Sequence, residues 1–221
     1  MTKRIDNRNP NQMRPLSSIL GENENSDGSV IYSQGKTKVL VGVHGPKEVN
    51  TFKEQYDKAT VSVVVKTEQR DDLRKEKTLE KDLKGILEYM IFTERSPRSE
   101  IIITAHILND DGSLFSTLVN ACVLALCDAG IEIRSLVYSI TFLITENKIL
   151  IDPIENEIAK ISNHSRISLV LSKDNEDSIV FSKCIGLTSL EIYDKCLEIG
   201  NVAKLSIRKF MKQSLKKNQN K

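Results

Sequence analysis

Apolar residues between positions 79 and 91 fall at Leu79, Leu83, Ile86, Leu87, Met90 and Ile91, the spacing of one stripe along an α-helix. Arg95-Ser-Pro-Arg98 stops that helix, because a proline disfavours helical geometry in the residue before it. Ahead of the helix the period changes to two. Residues 30–32, 37–44 and 59–66 alternate or are rich in β-branched side chains, with turns at Asp27-Gly-Ser29, Gln34-Gly-Lys36 and Gly45-Pro46. Three strands joined by short connections predict an antiparallel meander. Residues 99–108 are apolar on both faces and predict a strand in the middle of a covered sheet.

Downstream, residues 113–129 are apolar nearly all round and stop at Gly130, a suitable residue just past a helix end. A helix of that composition belongs inside a molecule, and Ser113 is placed to cap it. Residues 135–145 and 148–151 predict a hairpin turning at Glu146-Asn147. A second hairpin pairs 166–171 with 178–182 across the polar 173–177 loop. Thr188-Ser-Leu-Glu191 has the form of a capping box opening a last helix. The stripe of that helix runs Leu190, Tyr193, Leu197, Val202, Leu205 and Ile207, with a kink expected near Gly200-Asn201. The order of strands, helix, strand, helix, strands and helix makes an α+β chain, with helices packed on mostly antiparallel sheet. Residues 1–26 are polar and are expected to form an irregular, partly disordered arm. Residues 27–215 then make one domain, and 216–221 a basic tail.

Composition narrows the function. The 221 residues are ample for a sizeable core, and 39% hydrophobic with 28% charged residues is the balance of a globular protein. No run approaches 18 apolar residues and the polar start has no apolar leader segment, so no membrane contact is expected and the chain reads as soluble and intracellular. Cys122, Cys127, Cys184 and Cys196 lack metal or redox spacing, and Cys122 and Cys127 read as small core residues. His44, His106 and His164 are too scattered to suggest a metal site, and no cofactor is implied. With no Trp and 5% aromatic residues, any RNA contact is expected to be to phosphates. The net charge of +2 hides an asymmetry: no acidic residue follows Glu198, while Lys204, Arg208, Lys209, Lys212, Lys216, Lys217 and Lys221 are all basic. That pattern is either a solvated helix face running into a frayed tail or a contact for nucleic acid or an acidic neighbour.

Several local patterns line up in one order. They are Asp27-Gly-Ser29, Gly35-Lys-Thr37 and Gly45-Pro46, then Pro97-Arg98 before an apolar strand. Asp111-Gly-Ser113 follows, with Asn120-Ala121, Ala125-Leu126 and Asp128-Ala-Gly130, and finally Leu150-Ile-Asp-Pro153. Together they resemble the RNase PH family over residues 14–215. The resemblance implies an RNase PH-like fold (ribosomal protein S5 domain 2-like). Within the family the Gly112-Ser-Leu114 loop and the short ends are most similar to a ring subunit of the eukaryotic RNA exosome. That subunit is the non-catalytic one nearest the archaeal catalytic subunit, without S1 or KH modules.

The same resemblance exposes replaced chemistry. Active members hold phosphate with a basic residue after the loop glycines, and here that position is Phe115. Bringing phosphate beside an anionic RNA strand needs cationic or N–H donors, so the loss is expected to disable phosphorolysis. Two aspartates of active members correspond to Ile158 and His164, and an isoleucine is neither acid nor metal ligand. Glu155 and Glu157 lie between Pro153 and Ile158, and Asp152 reads as a turn residue before Pro153. The expected catalytic and phosphate-binding sets are therefore empty. Arg98 and Arg95 match arginines that face the ring pore in the family, where a backbone phosphate contact needs only positive charge. They could equally flank a helix end favourably. What the resemblance implies is a structural subunit that supports 3′-to-5′ RNA processing and degradation, rRNA included. Its expected partners are other RNase PH-like subunits, S1/KH cap subunits and single-stranded RNA, in nucleus, nucleolus and cytoplasm. The competing expectations are an active phosphate-dependent exoribonuclease and an RNA-binding homodimer.

Overall fold

The computed structural model describes residue 4 and residues 6–67, 73–145, 148–161, 164–172 and 179–219. The expected turn at Glu146-Asn147, the 173–177 loop, the charges at 68–72 and Lys221 lie outside the described residues. The first sheet is formed by β1 (Leu16–Leu20), β2 (Gly28–Gln34), β3 (Thr37–Glu48), β4 (Thr60–Thr67) and β5 (Ser99–Asn109), in the order β1-β2-β3-β5-β4. The second is formed by β6 (Val137–Thr145), β7 (Lys148–Ile151), β8 (Ser165–Ser172) and β9 (Ile179–Ile185), in the order β7-β6-β8-β9. The helices are α1 (Leu73–Met90), α2 (Leu114–Asp128), α3 (Glu155–Lys160) and α4 (Leu190–Gln219).

The predicted meander holds only for its first two strands. β2 and β3 pair antiparallel, but β5 takes the place beside β3, and β4 pairs parallel to β5 at the sheet edge. A parallel neighbour needs a crossover, and α1 supplies it. The apolar character of β5 on both faces is what suits it to a central position. β3 also continues past Gly45-Pro46 to Glu48, with a register shift between His44 and Lys47.

The expectation of an irregular arm also needs correction. Residues 16–20 form β1, which pairs antiparallel with β2 from Leu16↔Gln34 to Leu20↔Val30, so this part of the arm belongs to the sheet. It is only five residues long and its apolar residues, Leu16, Ile19 and Leu20, do not alternate, which is why the sequence did not announce it.

α1 buries the predicted stripe Leu79, Leu83, Ile86, Leu87 and Met90. α2 is buried along almost its whole length and packs against β2 and β3 of one sheet and β6 of the other. A helix enclosed by two sheets has no polar face to offer, which explains its composition. Leu118 is 0% exposed there, and Leu118→Ala is expected to cost about 2–5 kcal/mol in a urea melt, the range for emptying a fully buried leucine site. α4 runs unbroken through the expected kink. Gly200 serves close packing instead, since a Cβ there would lie 3.3 Å from Leu171 Cδ1 and 3.5 Å from Phe142 Cζ. The predicted capping box is not formed: Tyr193 N donates to Ser189 O, which starts the helix one residue late for Thr188.

Candidate functional site

A cleft of about 480 Å³ opens where α1, the start of α2 and the second sheet meet. Gly112 to Phe115 form one wall, and Arg74, Lys75, Thr78 and Leu79 of α1 another. Thr141, Arg166, Ser168, Lys183 and Ile185 line the sheet side, and Asp110 and Glu155 stand at its edge. The loop keeps its shape by touching the turn after β7. Gly112 has φ +88°, and a Cβ there would sit 2.5 Å from Pro153 O, so only glycine fits. Ser113, also left-handed, makes no side-chain cap to α2; its hydroxyl donates to Pro153 O at 3.1 Å. The expected capping role is thus replaced by a tie between loop and turn.

Beneath this loop lies a buried ionic clamp. Arg14 donates through Nε to Asp152 Oδ2 at 2.9 Å and through Nη2 to Oδ1 at 2.6 Å. Its other donors reach the carbonyls of Asp111 (2.9 Å) and Gly112 (3.0 Å). The two side chains are 5% and 1% exposed. One guanidinium therefore fixes both the loop and the Leu-Ile-Asp-Pro turn. Burial alone would raise the Asp152 carboxyl, but the hydrogen bonds and charge of Arg14 outweigh it and hold the group below the usual carboxylate range. Reading Asp152 as a turn residue caught its left-handed backbone (φ +53°) and missed its charge.

A second pair repeats the arrangement. Arg4 donates to both oxygens of Glu157, at 2.8 and 2.6 Å, and to the carbonyls of Ile151 (2.8 Å) and Asp152 (3.1 Å). Arg8 adds a bond to Asp152 O at 3.1 Å. Glu157, one of the two carboxylates just before Ile158, is thereby committed to holding the segment around Arg4. Sequence reasoning missed this clamp. Its signal was three arginines at 4, 8 and 14 in a segment otherwise rich in asparagine, but their partners lie more than 130 residues away.

The sequence-derived site residues are not gathered in one place. Phe115 lines the cleft, is 9% exposed, and packs on Phe181 with ring centroids 5.5 Å apart. Ile158 turns away into a small cluster with Leu143, Leu150 and Ile161. His164 is half-buried in the approach to β8, its Nδ1 2.6 Å from Ile161 O. Of the carboxylates in that segment, only Glu155 reaches the cleft. Asp110 there is 3.1 Å from Lys75, and Lys183 is 2.5 Å from Asp82. Arg166 Nε is buried with no hydrogen-bond partner among the described residues. The cleft therefore has Arg166 and Lys183 on its sheet side, and Glu155 and the Lys75-paired Asp110 are the carboxylates that line it.

Arg98 and Arg95 sit elsewhere, at the end of the first sheet where β5 begins. Arg98 is exposed, stacks over Tyr56 at 5.0 Å and pairs with Glu54 at 3.6 Å. Arg95 and Arg134 both lie over Phe92, at 5.0 and 5.1 Å, and pair with Glu132 and Glu94 respectively. Phe52 and Tyr56 are exposed beside them. Burial pushes the Cys122 thiol up to about 12 and Cys127 to about 11, so neither is a nucleophile near neutral pH.

Comparison with known proteins agrees with the topology. Residues 12–132 match the model of the RNase PH family, described as 3′ exoribonuclease family, domain 1. The exosome complex exonuclease RRP46 homolog of Oryza sativa subsp. japonica is 30% identical over 228 residues, covering 97% of this chain and 96% of the relative. The crystal structure of rice Rrp46 superposes with a TM-score of 0.90 at 31% identity, over 96% of this chain and 100% of that one. An archaeal exosome core chain gives a TM-score of 0.81 at 24% identity, over 95% and 91%, and shares the fold. A loop tied to a strand-end turn over a buried helix, the two-sheet topology and these matches across nearly the whole chain place the protein in the RNase PH family.

Proposed function

We propose that this chain is a non-catalytic subunit of an exosome-type ring of RNase PH folds. It contributes interface area and part of an RNA channel, while 3′-to-5′ degradation is carried out by another subunit. The observation that carries the reading is the fate of the carboxylates beside the cleft: Asp152 and Glu157 are each consumed by a buried arginine. Neither of these two carboxylates lines the cleft, so neither is placed to act on a phosphate held there. Phe115 meanwhile occupies the position of the phosphate-holding residue and is packed into the core. Within the ring, Arg98 and Arg95 are the proposed contacts to RNA phosphates. The proposed partners are other RNase PH-like subunits and S1/KH cap subunits, and the proposed setting is nucleus, nucleolus and cytoplasm.

A specific observation favours a second reading, a phosphate-dependent exoribonuclease. Glu155 shares the cleft with Arg166, Arg74 and Lys75, and relatives include proteins named exonucleases. One experiment separates the two. The purified chain is incubated with 3′-labelled single-stranded RNA and inorganic phosphate, and released nucleoside diphosphate is measured. In parallel, the chain is isolated gently from its own cells and its companions are identified by native mass spectrometry. Recovery with several other RNase PH-fold chains and no diphosphate release is the expected result. Phosphate-dependent release that disappears in Glu155→Gln would establish the enzyme reading instead.

A further inference from the structure

We infer that the exposed face of the second half of α4 is a docking site for the phosphodiester backbone of a nucleic acid strand, separate from Arg98 and Arg95. The inference does not depend on ring membership. The sequence left the basic end of the chain open between a solvated helix face running into a frayed tail and an electrostatic contact. α4 continues as helix to Gln219, so Lys216 and Lys217, expected in the tail, belong to a helix face.

That continuity converts a basic composition into a shaped surface. Lys209, Lys212 and Lys216 follow one another at i, i+3 and i+7, so they lie along one side of the helix. All three are exposed, as is Lys217 beside them, while Ile207 and Met211 are buried and Phe210 and Leu215 half-buried. At about 1.5 Å per residue the three ammonium groups span roughly 10 Å of helix axis. None of the four lysines has an ion-pair partner among the described residues. Within α4 itself the acidic residues are confined to the first turns, at Glu191, Asp194 and Glu198; outside it, Asp128 accepts from Asn218 at 2.8 Å.

The ordinary structural explanation for lysines late in a helix is the favourable end of the helix dipole. That effect fades within the last turn. It accounts for Lys216 and Lys217 and leaves Lys209 and Lys212, two turns and more from the end, without a role.

Two partners could answer such a stripe, an acidic protein surface or a nucleic acid, and the composition favours the second. A protein interface is built around a desolvated apolar or aromatic core in which lysine is depleted. Past Leu205 the exposed side of α4 offers no apolar residue at all. Point charges on long flexible stems are suited to phosphates, which demand charge without shape. The stripe is also distinct from the pore-type arginines. α4 packs on β1, the edge strand, whereas Arg98 opens β5 on the far side of β2 and β3.

The test compares the full chain with Lys209→Gln/Lys212→Gln/Lys216→Gln. A fluorescein-labelled single-stranded RNA 20-mer is titrated by anisotropy at several KCl concentrations between 50 and 200 mM. Each phosphate contact contributes about 0.7 to the salt slope on a single strand, so the triple variant is expected to lose about 2 from the slope. Affinity at 50 mM is expected to fall at least about tenfold. Arg98→Ala should leave that difference intact. Circular dichroism melts of the triple variant are expected to match the parent, since all three lysines are exposed. Three results would overturn the inference: no measurable binding by the parent chain, an unchanged slope in the triple variant, or unchanged RNA affinity with loss of an acidic protein from the isolated complex.

Discussion

Asp152→Asn is expected to lower the stability of this protein by about 3–5 kcal/mol, the cost of stranding one partner of a buried ion pair. Asparagine keeps the size and tolerates the left-handed backbone at this position, so the substitution removes charge and little else. What remains is the Arg14 guanidinium, 5% exposed and facing a neutral amide. For a chain of this size the melting temperature should drop by roughly 6–20 °C. Arg14→Met combined with Asp152→Asn should recover part of the loss, because the uncompensated charge is gone.

The pH dependence has a defined sign. Asp152 titrates below its usual value when folded, so its stabilising contribution is full above the unfolded carboxylate pKa near 4. It is lost as pH falls through the lower folded value. A urea-melt series from pH 7 to pH 2 should therefore show the gap between parent and variant closing only below about pH 4. A gap that closes between pH 5 and 7 would assign the effect to another group.

The second large effect is expected from Phe115→Arg, which returns the basic residue that the family resemblance places at this loop. The variant should remain inactive toward RNA and phosphate. The reason is geometric: Ile158, at one position expected for an acid, faces the Leu143 and Leu150 cluster and does not line the cleft. An aspartate placed there would be buried among apolar groups, so two reversions cannot rebuild the chemistry. Phe115→Arg should also cost on the order of 2–4 kcal/mol, through lost burial and lost packing on Phe181. Phosphate-dependent diphosphate release from this single variant would show that the cleft still holds a working acid, with Glu155 the group to examine.

The physical distinction between what could and could not be read in advance is one of range. Interactions between residues a few positions apart leave a period in the sequence. The α1 stripe, the enclosed α2 and the strand at 99–109 were all legible for that reason. The family resemblance was legible too, because it rests on local loop residues such as Gly112 and the Asp152-Pro153 turn. Pairing between distant segments leaves no such period. The place of β5 between β3 and β4 and the joining of β1 to the sheet were decided by which faces could be covered. The site divides in the same way. Phe115 was visible as a departure from the pattern the family resemblance implies, but only the fold shows Arg14 and Arg4 reaching more than 130 residues along the chain to take Asp152 and Glu157. By itself the sequence determined the three long helices, though not the short α3, together with most strands and the phenylalanine in the loop. Tertiary structure decided which carboxylates remain free, because a buried charge must find a partner wherever the chain happens to bring one.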